Sequence, residues 1–131
     1  MKYLSLFFII FLFNFCTNKS KSNPENIELI YEETIKFDIM QYNDTLSKKI
    51  PVYNNSKEII EIYELISDCG CVSTQIDIQS KIQPNDSAYI HIKYIPREAD
   101  DEGFVEKTIS FRTSNESKPL NNIILLGYIE K

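Results

Sequence analysis

Residues 87–95 admit one regular structure. Ala88, Ile90, Ile92 and Tyr94 alternate with Tyr89, His91 and Lys93. A period of two puts the first set on one face of a β-strand and the second on the other, and leaves a helix without an apolar side. Pro96 closes the run, because it has no N–H to donate to a further ladder. Each isoleucine buried by this face contributes ~1.5–3 kcal/mol.

The same pattern recurs along the chain. Residues 27–31 read as a short first edge strand. Residues 34–39 place Ile35, Phe37 and Ile39 on one face. Residues 46–53 turn Ile50 and Val52 inward, and Pro51 makes that strand an edge or marks a bulge. Residues 58–67 carry Ile59, Ile62, Tyr63 and Ile66 at helical spacing, but their β-branched and aromatic density favours a strand. Apolar residues on both its faces suit a central position. Residues 72–78 alternate again, residues 104–113 bring Val105, Ile109 and Phe111 inward, and residues 122–129 form a last strand weakened by Gly127. Turn residues punctuate these runs: Asn43-Asp44, a hairpin turn at 54–57, Pro84-Asn85-Asp86 within 80–86, the charged loop 97–103, and 114–121 around Pro119. About seven short strands and no amphipathic helix predict an all-β sandwich forming one domain over residues 27–131.

The first residues are an address. Lys2 precedes an apolar run from Tyr3 to Phe15, the layout of a secretory signal peptide over residues 1–15. The run is shorter than the ~20 residues a permanent membrane helix needs. Cys16 follows at once, ahead of a polar stretch. Leu12-Phe13-Asn14-Phe15-Cys16 resembles a bacterial lipoprotein lipobox, although Phe15 stands where a small residue is usual. The resemblance implies cleavage before Cys16, lipidation of its thiol and anchoring to a membrane. Two or three acyl chains hold a protein stably, where one does not. Residues 16–26 then form a flexible tether of roughly 33–36 Å fully extended. The expected location is a bacterial cell envelope, on the periplasmic face of the outer membrane.

Charge narrows the partners. The chain carries 14 basic and 19 acidic residues, a net charge of −5, with no basic cluster on any expected strand. Nucleic acid therefore has no electrostatic footprint to bind.

The order of motifs after residue 34 resembles a known family. An Asn-containing turn at Tyr53-Asn54-Asn55 leads into a strand and then Asp68-Cys69-Gly70-Cys71. Ile82-Gln83-Pro84-Asn85-Asp86, the strand through His91, Gly103-Phe104-Val105 and Leu125-Leu126-Gly127-Tyr128 follow in turn. This is similar to the domain of unknown function 1573 family of bacterial exported proteins. The resemblance implies an immunoglobulin-like sandwich and no particular activity. Asn85 stands where that family usually has glycine, a tolerable exchange because Asn accepts positive φ.

Cys69 and Cys71 are the chemical candidates. In an oxidising compartment they form a bridge if Gly70 permits a tight bend, since the Cα atoms must lie within about 4.4–6.8 Å. A bridge over so short a loop adds little stability and is easily reduced, which suits a thiol-redox couple. Against this, the sequence offers no adjacent base, and neighbouring Asp68 raises a thiol pKa. Two thiolates also suit a soft metal such as copper or zinc, but His91 and Met40 are the only further ligands of the right type, and no metal site is expected. The acidic run 98–102 lacks the ligand spacing of a calcium loop and reads as a solvated hairpin loop. No catalytic residue or cofactor is expected. Asp44-Thr45-Leu46 and Asp86-Ser87-Ala88 resemble short O-glycosylation motifs but also serve as ordinary turn-to-strand junctions. The expectation is a non-enzymatic domain that binds an envelope protein, with a redox or copper-binding module as the alternative.

Overall fold

The computed structural model describes residues 28–77, 81–97 and 101–131. The expected signal peptide, Cys16 and the tether lie outside them. Every regular element among the described residues is a strand. In chain order these are β1 (Leu29–Ile30), β2 (Thr34–Gln41), β3 (Leu46–Asn54), β4 (Ile60–Ser67), β5 (Val72–Ile76), β6 (Lys81–Ile82), β7 (Ser87–Tyr94), β8 (Gly103–Thr113) and β9 (Leu120–Glu130). One sheet has the order β1-β3-β7-β5 and the other β2-β9-β8-β4-β6. The two inner faces meet in one core, which Ile90, Ile92 and Tyr94 enter from the first sheet and Ile109, Phe111 and Leu125 from the second.

The alternation at 87–95 is realised as read. Ala88, Ile90, Ile92 and Tyr94 are buried, while Tyr89 and Lys93 are exposed and His91 is half-buried. Ile50 and Val52 face inward, and Pro51 sits where β3 runs past the two residues that pair with β1. There β3 is a free edge, so the missing N–H costs no pairing on that side. Val105, Ile109 and Phe111 also point inward.

The strand count is nine where about seven were expected: the short first edge strand forms as β1, and an unexpected two-residue ladder forms at β6. β6 lies inside the segment read as a plain turn, and it buries Ile82 against β4. The turn after it has Asn85 at φ 62°, the left-handed conformation its side chain tolerates.

Other expectations are corrected. Ile39 does not share a face with Ile35 and Phe37. β2 runs parallel to β9, and the register shifts between Lys36 and Ile39, so Lys36 faces Leu126 while Ile39 faces Tyr128. Three residues of β2 thus span two of β9, and the extra residue flips Ile39 to the outer face. β4 is not central: beyond its two-residue ladder with β6 it pairs only with β8, and a second register shift between Ile62 and Glu64 leaves Tyr63 and Ile66 exposed.

Residues 54–57 do not make a hairpin, because β3 and β4 belong to different sheets. The crossing is built on Asn54, whose side chain is fully buried. Its amide donates to the carbonyls of Glu58 (2.7 Å) and Ile82 (2.9 Å), and its oxygen accepts from the Ser56 N–H (2.9 Å). Gly127 does not weaken β9. A Cβ there would collide with the ring of Phe37, so the glycine is what lets that ring lie across the strand and reach Tyr94 at 5.7 Å.

Candidate functional site

The turn containing Cys69 and Cys71 hands the chain from one sheet to the other. β4 ends at Ser67, and Asp68 continues its pairing with β8: the Asp68 N–H donates to the Thr108 carbonyl (3.1 Å), and the Asp68 carboxylate accepts from the Thr108 N–H (2.7 Å). β5 then begins at Val72 in the opposite sheet, beside Tyr94. The Ser67 hydroxyl lies within donating distance of the carbonyls of Cys69 (3.1 Å) and Val72 (3.0 Å), and the Ile95 N–H donates to the Cys71 carbonyl (3.1 Å). Between these fixed points the two cysteines are joined in a bridge with their Cα atoms 5.2 Å apart. Cys71 is buried, at 7% exposure, and Cys69 is half-buried.

The tight bend expected at Gly70 is present, and Gly70 has a second purpose. Its backbone is not in the left-handed region, where Gly103 is the one glycine of the described residues. Instead the Arg97 guanidinium lies against it. Nη2 donates to the Gly70 carbonyl at 2.6 Å, and the two terminal nitrogens stand 3.4 and 3.5 Å from where a Cβ would be. A side chain at position 70 would press on that contact. The basic group that the local sequence lacked therefore comes from the segment that follows β7, 27 residues away. Nothing in the spacing of Cys69, Cys71 and Arg97 announces this contact.

The loop after β7 is also not the hairpin expected, although its described residues Arg97 and Glu102 are exposed. It crosses between the sheets, and Asp101 has no exposed side-chain surface. Residues 98–100 lie outside the described residues. The Asp101 carboxylate meets Lys107 Nζ at 2.6 Å and accepts from the Arg97 N–H at 2.9 Å. Burial works to raise its pKa, but the Lys107 ammonium and the Arg97 N–H outweigh burial and hold it below its ordinary 3.8. Burial, and then the nearby Asp101 carboxylate, push the Tyr94 phenol upward. Asp101 is thus committed within the fold.

His91 is likewise engaged. Its Nε2 lies 2.6 Å from Asp77 Oδ1 on the outer face of the first sheet, and this bond is the main cause of the lowered Asp77 pKa. Lys49 stands 3.7 Å from the same carboxylate and 4.0 Å over the Tyr89 ring. Met40 packs partly against the core. Among the described residues no group of three or more His, Cys, Asp or Glu could hold a metal. Asp44 and Asp86 close turns, accepting the N–H groups of Gln41 and Ser87 at 2.8 Å each.

A second feature assembles on the outer face of the larger sheet. Ile39, Tyr128 and Phe104 are register partners across β2, β9 and β8, and they are 65%, 50% and 69% exposed. Leu126 extends the row along β9, half-buried beside Lys36. Phe104 is legible from the sequence as the outward neighbour of Val105. The row is not, because it needs the β2 bulge to turn Ile39 outward.

Solved structures share this fold at low identity. A protein of unknown function from Porphyromonas gingivalis W83 superposes with a TM-score of 0.68 at 15% identity, over 76% of this chain and 46% of that one. The chain therefore spans less than half of that protein's length. The ASH/PapD-like domain 7 of human CEP192 superposes with a TM-score of 0.63 at 12% identity, over 86% of this chain and 92% of that domain. The secreted serine protease VesC from Vibrio cholerae matches with a TM-score of 0.63 at 10% identity, over 79% of this chain and 23% of its own. A comparison with curated proteins finds none that matches. The family model described as "Protein of unknown function (DUF1573)" matches residues 29–129, which span both sheets and the Cys69–Cys71 turn, and the chain belongs to that family.

Proposed function

We propose that this chain is a lipid-anchored protein of a bacterial cell envelope whose immunoglobulin-like domain binds another protein and catalyses no reaction. The observation that carries the reading is the row Ile39–Tyr128–Phe104. Three large apolar side chains side by side on a water-facing sheet lose solvation free energy, and such patches mark interaction sites. Aromatic anchors of this kind dominate protein interfaces.

Strand order supports the immunoglobulin-like assignment. With β2 and β6 set aside, the remaining seven strands run first-second-fifth-fourth in one sheet and third-sixth-seventh in the other, the order of the constant-type domain.

The orientation suits a tether. Glu28, the first described residue, is fastened beside the Asn54 crossing: its carbonyl accepts from the Asn55 N–H at 2.8 Å, and its carboxylate accepts from Asn115 and from Ser117 Oγ. Asn121 sits at the same end, its Oδ1 accepting from the Tyr31 hydroxyl at 3.4 Å, and Tyr128 lies seven residues further along β9, roughly 23 Å at the rise of a strand. A chain anchored through Cys16 and residues 17–26 would present the apolar row away from the membrane, on its periplasmic side.

Two measurements test this reading. Cys16→Ala is expected to move the protein from the membrane fraction to the soluble fraction; retention in the membrane would mean that the apolar run itself is the anchor. A photo-crosslinking residue at Phe104 of the full chain, expressed in its own cells, is expected to capture a discrete protein. The same probe at Arg112, at the other end of the same strand, is expected not to. Tyr128→Ser should abolish the Phe104 product, and indistinguishable products from both positions would overturn the docking surface.

A further inference from the structure

We propose that the Cys69–Cys71 bridge is a thiol–disulfide exchange site that reacts stoichiometrically, without turnover, opened by attack of an envelope protein's dithiol on Cys69. The turn does not depend on the bridge. Asp68 is held to Thr108 in one sheet and Cys71 to Ile95 in the other, and the Ser67 hydroxyl spans the carbonyls between them. The covalent loop encloses a single residue, so closing it removes little freedom from the unfolded chain. A bridge that contributes little to the fold has little to lose on reduction.

The two sulfurs are also unequal. Cys71 is packed into the core, and Cys69 is the half-buried one that an incoming group can reach. Charge favours the same outcome. The Asp68 carboxylate is occupied by the Thr108 N–H, whereas the Arg97 guanidinium sits on the residue between the cysteines, where a positive charge stabilises a thiolate.

The partner's first thiolate attacks Cys69 Sγ, the Cys69–Cys71 bond breaks, and its electron pair leaves on Cys71 Sγ, which takes up a proton. The partner's second thiol then loses its proton and attacks the first. Cys69 is released as a thiolate and is protonated in turn. Two electrons and two protons pass from the dithiol to the cysteine pair, and the partner becomes a disulfide.

The test uses the full chain in detergent with glutathione as the probe. Oxidised protein treated with reduced glutathione at neutral pH and quenched in acid is expected to carry the adduct on Cys69 and then to become fully reduced while still folded. Cys71→Ser with oxidised glutathione should trap the Cys69 adduct permanently. In reduced protein, Arg97→Ala is expected to slow Cys69 alkylation at pH 7 about tenfold and to move its pH–rate midpoint upward, with Arg97→Lys restoring most of the rate. Four results would each overturn the proposal: a bridge that resists glutathione until the protein unfolds, an adduct on Cys71, a midpoint that Arg97→Ala leaves in place, or thiols that never bridge under oxidised glutathione. None depends on the apolar row, so failure of the docking reading leaves this test intact.

Discussion

Ile92→Asp is expected to leave no folded domain at 25 °C. Ile92 is 2% exposed and lies in the middle of β7, between Lys48 of β3 and Thr74 of β5, on the face turned to the second sheet. The substitution removes the burial of an isoleucine, about 2–5 kcal/mol with its cavity, and places a carboxylate where no partner stands. Together these reach the whole stability of a typical domain, about 5–15 kcal/mol. His91→Ala, one residue away, should change stability far less, because it removes a half-exposed contact to Asp77 on the outer face. Circular dichroism and denaturant titration of the two variants check the pair. The reverse order of effects would require the β7 register to be displaced by one residue.

Lys107→Met is expected to cost about 3–5 kcal/mol, because it leaves the enclosed Asp101 carboxylate without its ammonium. Combining it with Asp101→Asn should recover most of the loss, since the side-chain oxygen still accepts from the Arg97 N–H and no charge remains buried. The pH dependence makes the test sharper. In the native chain the folded pKa of Asp101 lies below its unfolded 3.8. Its contribution is therefore fully present above about pH 4 and is lost as pH falls through the folded value. In Lys107→Met burial is opposed only by the Arg97 N–H and the Tyr94 hydroxyl, so the folded pKa is expected to rise from its native value. The loss of stability on acidification is therefore expected to be smaller in the variant than in the native chain. Urea midpoints for both proteins between pH 3 and 8 read this directly. Parallel curves would show that Lys107 does not hold the Asp101 charge.

The strands and their inward faces were legible because burial on one side of a sheet imposes a period of two. That covers Ile50 and Val52, Ile90 and Ile92, and Ile109 and Phe111. The errors fell where one extra residue breaks that period. The bulge in β2 turned Ile39 outward, and the register shift in β4 exposed Tyr63 and Ile66. Alternation also cannot say which sheet a strand joins, so the crossings at Asn54 and Asp101 looked like hairpins and their buried polar side chains looked like solvated turn residues.

The sequence alone determined the all-β class, the inward faces of the strands without bulges and the family, because local periodicity and turn chemistry are written in neighbouring residues. Only the tertiary structure decided what those faces meet. Arg97 reaches Gly70 from 27 residues away, and Phe104, Tyr128 and Ile39 form a row from three strands. Each pairing depends on strand order and register, which arise when two sheets close on one core and which no single segment encodes.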